Sequence, residues 1–209
     1  MPNDDSLDPS QLYFETPWVW YVHFPCGSQN YGSSYTQIGR FATIKEFWEL
    51  YNHLPSIDSV HDGQLRCNGQ PIIAYSIFRE GIKPEWEDPV NLTGSEWACR
   101  ETLDKEKFHI LWKDYLLGAI GEHIPHCVGL RAINKSNRNR LLHKVELWMD
   151  KIDTPSVQAC RRSLTMLVEA SPRFVLVPHQ EKQYQALEYQ KRRRTRNGSV
   201  VGHDIRVDA

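Results

Sequence analysis

The chain has 209 residues, 40% hydrophobic and 24% charged, which fits one globular domain with room for a tail. A formal net charge of −1 excludes a global electrostatic pull toward nucleic acid, so any such binding needs a local patch. Five scattered cysteines (Cys26, Cys67, Cys99, Cys127, Cys160) with no Cys-x-x-Cys pair argue against a disulfide framework or a zinc knuckle, and no apolar run approaches the ~20 residues of a membrane span.

Residues 1–11 are acidic and polar and read as a disordered segment. Trp18 to Phe24, aromatic and β-branched, favours a strand; Phe24 to Asn30 reads as a loop, and Thr36 to Phe41 as a second strand. Thr43 is placed to cap a helix running to His53, with Phe47, Leu50 and Tyr51 inward. Residues 54–71, rich in Pro, Gly, Asp and Asn, read as an irregular insertion. Ile72 to Phe78 and Glu96 to Thr102 are strand-like. Phe108, Leu111, Trp112, Tyr115, Leu116, Ala119 and Ile120 recur at intervals of three and four and predict an amphipathic helix ending near Gly121. Cys127 to Ile133 and Lys144 to Met149 form a candidate hairpin. Thr154-Pro155 starts a further helix with Thr154 as cap, and Arg173 to Val177 is a late strand. The segment 180–209 is a polar tail with the basic run Lys191 to Arg194, leaving 12–179 as the folded domain. The connections are mostly too short for parallel crossovers, so the expected class is α+β: an antiparallel sheet with three helices on one face.

The segment Gly81-Ile82-Lys83-Pro84-Glu85-Trp86-Glu87-Asp88 carries the chemistry. An indole face attracts a cation, and an adjacent carboxylate accepts two parallel N–H donors. N7-methylated guanine, a flat cation with donors side by side on its Watson–Crick edge, fits that pair.

Four motifs in order (Phe47 to His53, Phe78 to Asp88, Ile120-Gly121-Glu122 and Lys144 to Trp148) make residues 18–177 resemble the translation initiation factor 4E family of mRNA cap-binding proteins. That resemblance implies a curved sheet of about eight strands with three helices on its convex face. It implies that Tyr31 and Trp86 sandwich the cap base, with Tyr35 and Trp20 as alternatives to Tyr31. Glu87 then reads the base edge, and Trp148 touches the methyl group. Lys144 and Lys135 hold the phosphates, with Arg138 and Arg140 nearby on a basic hairpin that begins at Arg131. The loop around Tyr31 resembles the 4E-homologous protein branch, and Glu96 replaces a family Arg; both changes imply a weaker or differently tuned site. On the convex back, Ile44, Trp48, Asp114, Leu117 and Gly121 match a groove that takes a Tyr-x-x-x-x-Leu-Φ helix of a 4G-type scaffold or a 4E-binding protein. The implied protein is a cytoplasmic monomer with a possible nuclear fraction, needs neither metal nor cofactor and has no catalytic residue. It is an initiation adaptor, or in the alternative a repressor that holds the cap and refuses the scaffold. The competing enzyme reading rests on His23 near Cys26-Gly27-Ser28 and on His123-x-x-His126; neither has the base–orienter pattern or the helical spacing that catalysis requires.

Overall fold

The structure is a computed structural model and describes residues 8, 12–25, 34–99, 102–168, 173–181 and 188. The expected disordered N-terminus, nearly all of it, and the basic run at 191–194 lie outside the described residues. Among the described residues the strands are β1 (Tyr13–His23), β2 (Tyr35–Thr43), β3 (Arg66–Cys67), β4 (Gln70–Pro71), β5 (Ala74–Arg79), β6 (Ser95–Cys99), β7 (Cys127–Asn134), β8 (His143–Met149) and β9 (Phe174–Pro178). The helices are α1 (Ile44–His53), α2 (Ile57–His61), α3 (Pro89–Leu92), α4 (Lys105–Ile120) and α5 (Thr154–Leu167).

Seven strands form one curved antiparallel sheet in the order β2-β1-β5-β7-β8-β6-β9, while β3 and β4 make a separate two-stranded ribbon. The α+β class therefore stands, with seven strands in the main sheet among the described residues where about eight were expected. The three long helices are those the sequence predicts. The two short ones were missed because five- and four-residue segments are too short to display a helical period. The supposed irregular insertion holds α2, capped by Ser56, and the β3–β4 ribbon.

Strand alternation divides the sheet into two faces. Trp18, Trp20 and Val22 of β1, Tyr75 and Ile77 of β5, Leu130 and Ala132 of β7, and Val145, Leu147 and Met149 of β8 point to the helices and join the main core. Phe108, Leu111, Trp112, Tyr115, Leu116, Ala119 and Ile120 of α4 bury against them, as their spacing predicts. Helix α1 starts with a reciprocal capping box: Thr43 Oγ1 accepts from the Glu46 amide at 3.2 Å, and the Glu46 carboxylate accepts from the Thr43 amide at 3.1 Å. Helix α5 departs from expectation at its start. Asp153, not Thr154, is the cap, because its carboxylate accepts from the Ser156 amide at 3.0 Å. Met166, in the last turn of α5, is 84% exposed.

Candidate functional site

The face of the sheet away from the long helices carries the other half of each strand. The pairing register sets its side chains in rows. One row runs Val19, Phe78, Gly129, Trp148, Glu96; the next runs Tyr21, Ser76, Arg131, Glu146. Phe78, Val128 and Trp148 form a small second core, with Tyr21, Ile82 and Trp86 packed on it. Phe78 meets Trp148 edge-on, with ring centroids 5.2 Å apart. Gly129 is required here, because a Cβ at that position would fall 2.3 Å from the Phe78 ring.

The loop after β5 lays Trp86 on this floor. Gly81, at φ +88°, makes the turn that starts it. Asp88 then closes the loop twice: its carboxylate accepts from the Lys83 amide at 2.9 Å and caps α3 through the Val90 amide at 3.0 Å. The buried Asn91 amide donates to the carbonyls of Lys83 (2.9 Å) and Glu85 (2.8 Å), cinching the backbone on either side of Pro84. Glu85 is tied to β2 by the Tyr35 hydroxyl at 2.5 Å. Trp86 is thereby held half-buried, while Glu87 stays exposed and makes no hydrogen bond or ion pair among the described residues. As positioning residues, Asp88 and Asn91 were not singled out in the sequence, and Tyr35 was named only as an alternative stacker. Asp88-Pro89, a cap followed by Pro at the first helical position, was the readable sign.

Tyr31 lies outside the described residues, so its stacking role rests on the resemblance. Of the two alternatives, Trp20 is 1% exposed and packs against Trp112 on the helix side, which removes it from the ligand face. Tyr35 is half-buried on the open face, 5.6 Å from Tyr21 and 5.8 Å from His23. Trp148 is fully buried, covered by Phe78, by the His179 ring at 4.5 Å and by the Arg131 guanidinium at 5.6 Å.

The basic hairpin is less uniform than its composition suggests. Lys144 shares the open face with Trp148, four residues or about 13 Å along β8. Its ammonium has no partner among the described residues. Arg138 and Arg140 are exposed in the hairpin loop, still farther along. Arg131 is different: it is 4% exposed and donates from Nε (2.9 Å) and Nη2 (2.5 Å) to one oxygen of the fully buried Glu146. The Lys135 ammonium lies 4.0 Å from the other oxygen. The edge is thus partly neutralised by a carboxylate the basic count overlooked. Glu96, 1% exposed, faces Trp148 from β6. Burial, reinforced by Arg131, pushes the His23 imidazole down to about 3, so it is neutral near pH 7 and its Nε2 pairs with Ser76 Oγ at 2.7 Å. Burial also raises the Tyr21 hydroxyl, with the Asp88 carboxylate adding to the shift.

On the opposite face Trp48 is 40% exposed, with Ile44 one turn before it. Asp114 and Leu117 of α4 are half-buried and Gly121 at its end is exposed. Trp48 also walls a cleft of about 480 Å³ with Tyr51, Asn52, Pro55, His109 and Lys113. His126 pairs with Asp150 at 3.4 Å. Among the described residues no group of three or more His, Cys, Asp or Glu side chains is arranged to hold a metal ion, and no helix is long and apolar enough to cross a membrane.

An antiparallel sheet backed by helices, with an aromatic–carboxylate loop over its open face, defines an α+β protein with a candidate ligand face. The chain belongs to the eukaryotic initiation factor 4E family, whose model matches residues 13–199. It is 33% identical over 152 residues to translation initiation factor 4E-2 of Arabidopsis thaliana (69% of this chain, 57% of that protein). It is 30% identical over 148 residues to factor 4E-1 of Prunus domestica (68% and 58%). The chain spans a little over half the length of the curated relatives it matches. Its fold is that of C. elegans eIF4E-3 solved with the 4E-binding protein Mextli and a cap analog, at TM-score 0.67 and 22% identity over 83% of this chain and 95% of that one. Ascaris suum eIF4E-3 solved with an m2,2,7G cap gives 0.63 and 24% over 80% and 91%.

Proposed function

We propose that the chain binds the 7-methylguanosine cap of messenger RNA on the open face of its sheet and carries no catalytic step. The observation that supports this most directly is the loop geometry. Trp86 is held on an aromatic floor by Asp88 and Asn91, while the next residue, Glu87, presents a carboxylate to solvent without a competing partner among the described residues. The cationic base stacks on Trp86, with Tyr31 closing the sandwich, and Glu87 accepts from its edge. Trp148, fully buried in the cluster on which Trp86 packs, is the residue assigned to the methyl group. Lys144 takes the phosphates, with Lys135, Arg138 and Arg140 farther out along the hairpin. Selectivity arises because plain guanine lacks the charge that the π faces attract.

The back surface built on Ile44, Trp48, Asp114, Leu117 and Gly121 receives an amphipathic helix from a 4G-type scaffold, making the protein an initiation adaptor. Exposure of a large indole there supports the assignment. The experiment for the cap is a titration of intrinsic Trp fluorescence with methylated and plain GTP, on wild type, Trp86→Ala and Glu87→Gln. Base–aromatic stacking is worth about 1–3 kcal/mol, so Trp86→Ala weakens binding at least about fivefold; equal affinity for the two nucleotides refutes the reading. The back surface is tested by capture on scaffold-derived and repressor-derived helix peptides. Loss of both with Trp48→Ala supports it, and capture of the repressor peptide alone by wild type supports a repressor.

A further inference from the structure

With the base on Trp86 and the phosphates at Lys144, as proposed above, the Arg131–Glu146 pair lies between the two. Lys144, Glu146 and Trp148 occupy alternate positions on one face of β8, so Glu146 lies between the aromatic floor and Lys144, about 7 Å from each. Arg131, directly across on β7, has its guanidinium 5.6 Å from the Trp148 ring. It is well placed for a phosphate, yet its Nε and Nη2 both donate to a Glu146 oxygen, and Lys135 leans toward the other oxygen at 4.0 Å. A phosphate that claims this fork must displace a carboxylate that is 0% exposed and has no water to retreat to. If the pair stays closed, the phosphate passes beside a negative charge in a poorly screened setting.

We propose that Glu146 is a specificity-determining residue: an internal competitor that occupies Arg131, so that the site reads the methylated base and is nearly indifferent to how many phosphates follow it. This rests on the cap-binding reading and deepens it. The ligand class that the site favours is an N7-methylated guanine nucleotide in which the base, not the phosphate chain, supplies most of the recognition. Lys144 contributes a single point charge, without the fork geometry of a guanidinium, and Lys135, Arg138 and Arg140 are exposed farther out, where solvent and salt screen their pull.

The test compares 7-methylguanosine monophosphate with the triphosphate on the full chain, at one ionic strength, with the plain guanosine nucleotides as controls. Wild type is expected to bind the two methylated nucleotides within about threefold of each other. Glu146→Gln keeps a hydrogen-bond acceptor but releases the charge. Its triphosphate affinity is expected to rise about tenfold, the scale of one charge-assisted hydrogen bond, with the monophosphate little changed. An unchanged triphosphate-to-monophosphate ratio in Glu146→Gln, with methyl selectivity intact, overturns the competitor role and leaves cap binding standing. Loss of methyl selectivity in the wild type instead overturns the cap reading and the inference with it. Should Glu146→Gln fail to fold because the Arg131 charge is left uncompensated, the neutral pair Arg131→Gln with Glu146→Gln decides alone. A ratio matching wild type supports the proposal. A tenfold fall in the ratio means that Arg131 was already serving phosphate, and overturns it.

Discussion

Gly129→Ala tests the floor of the site with a single methyl group. A Cβ at position 129 would stand 2.3, 2.4 and 2.7 Å from three atoms of the Phe78 ring, where ordinary contact begins near 3.4 Å. The ring must therefore move by about 1 Å, since adding a group to a closed core forces its neighbours to shift. Phe78 has no room for that: it is fully buried and set edge-on against Trp148, which is also fully buried. Overpacking of this kind costs about 1–3 kcal/mol. For a chain of this size that lowers the unfolding midpoint by roughly 2–12 °C. Because Trp86 packs on the same cluster, displacement of Phe78 and Trp148 also weakens binding of methylguanosine triphosphate. Thermal unfolding and fluorescence titration read the two effects, and a double-mutant cycle with Phe78→Leu isolates the cause. A smaller side chain at 78 makes room for the methyl group, so Gly129→Ala is expected to cost little on that background. An unchanged midpoint in the single variant, or the same cost on both backgrounds, refutes the packing argument.

Two further expectations follow from the same face. His23 has its folded pKa lowered to about 3 by burial and Arg131, so the unfolded chain binds its proton first as pH falls through 6.5. Its contribution is complete above pH 6.5 and is lost at up to ~1.4 kcal/mol per pH unit on the way down to about 3; urea denaturation at pH 7.5 and 5 should therefore show a smaller stability loss in His23→Gln than in wild type, and equal losses would refute it. Asn91→Ala removes two donors from the Lys83 and Glu85 carbonyls, which costs about 2 kcal/mol and loosens the seat of Trp86; denaturant midpoint and cap-analogue titration should both fall, and an unaltered affinity would mean the amide does not position the indole.

The elements that were legible in the sequence are those with a long period or a capping pattern. The seven heptad-like positions of α4 all bury, and Thr43 with Glu46 closes the predicted cap of α1. Aromatic excess also carried information. Five of the seven Trp residues are buried, among them Trp148, to which motif position gave a methyl contact; the two that are not, Trp48 and Trp86, were both assigned to a surface role. What the sequence concealed was held together by contacts between distant residues. Asn91 carries no local signal of its role, since its amide donates to two carbonyls six and eight positions earlier. Tyr35 was an alternative stacker, and its hydroxyl also reaches a carboxylate fifty residues away. No local pattern encodes either bond, because each depends on how the loop after β5 returns over the sheet.

Charge shows the same limit most sharply. Arg131 and Lys144 lie on the same face of neighbouring strands and look equivalent in a count of basic residues. Register separates them: the cross-strand neighbour of Arg131 is Glu146, and that of Lys144 is Ile133. A slip of one residue would set Arg131 opposite Val145 or Leu147 and turn the carboxylate away from it. The loop 135–142, pinned by the Asn137–Arg140 bridge and by the Lys135 amide on the Leu142 carbonyl at 2.7 Å, is what holds the pairing. The phosphate end of this site is therefore governed by a hairpin turn as much as by the cations it displays. A basic segment acquires a binding role only after the strand opposite it has been placed.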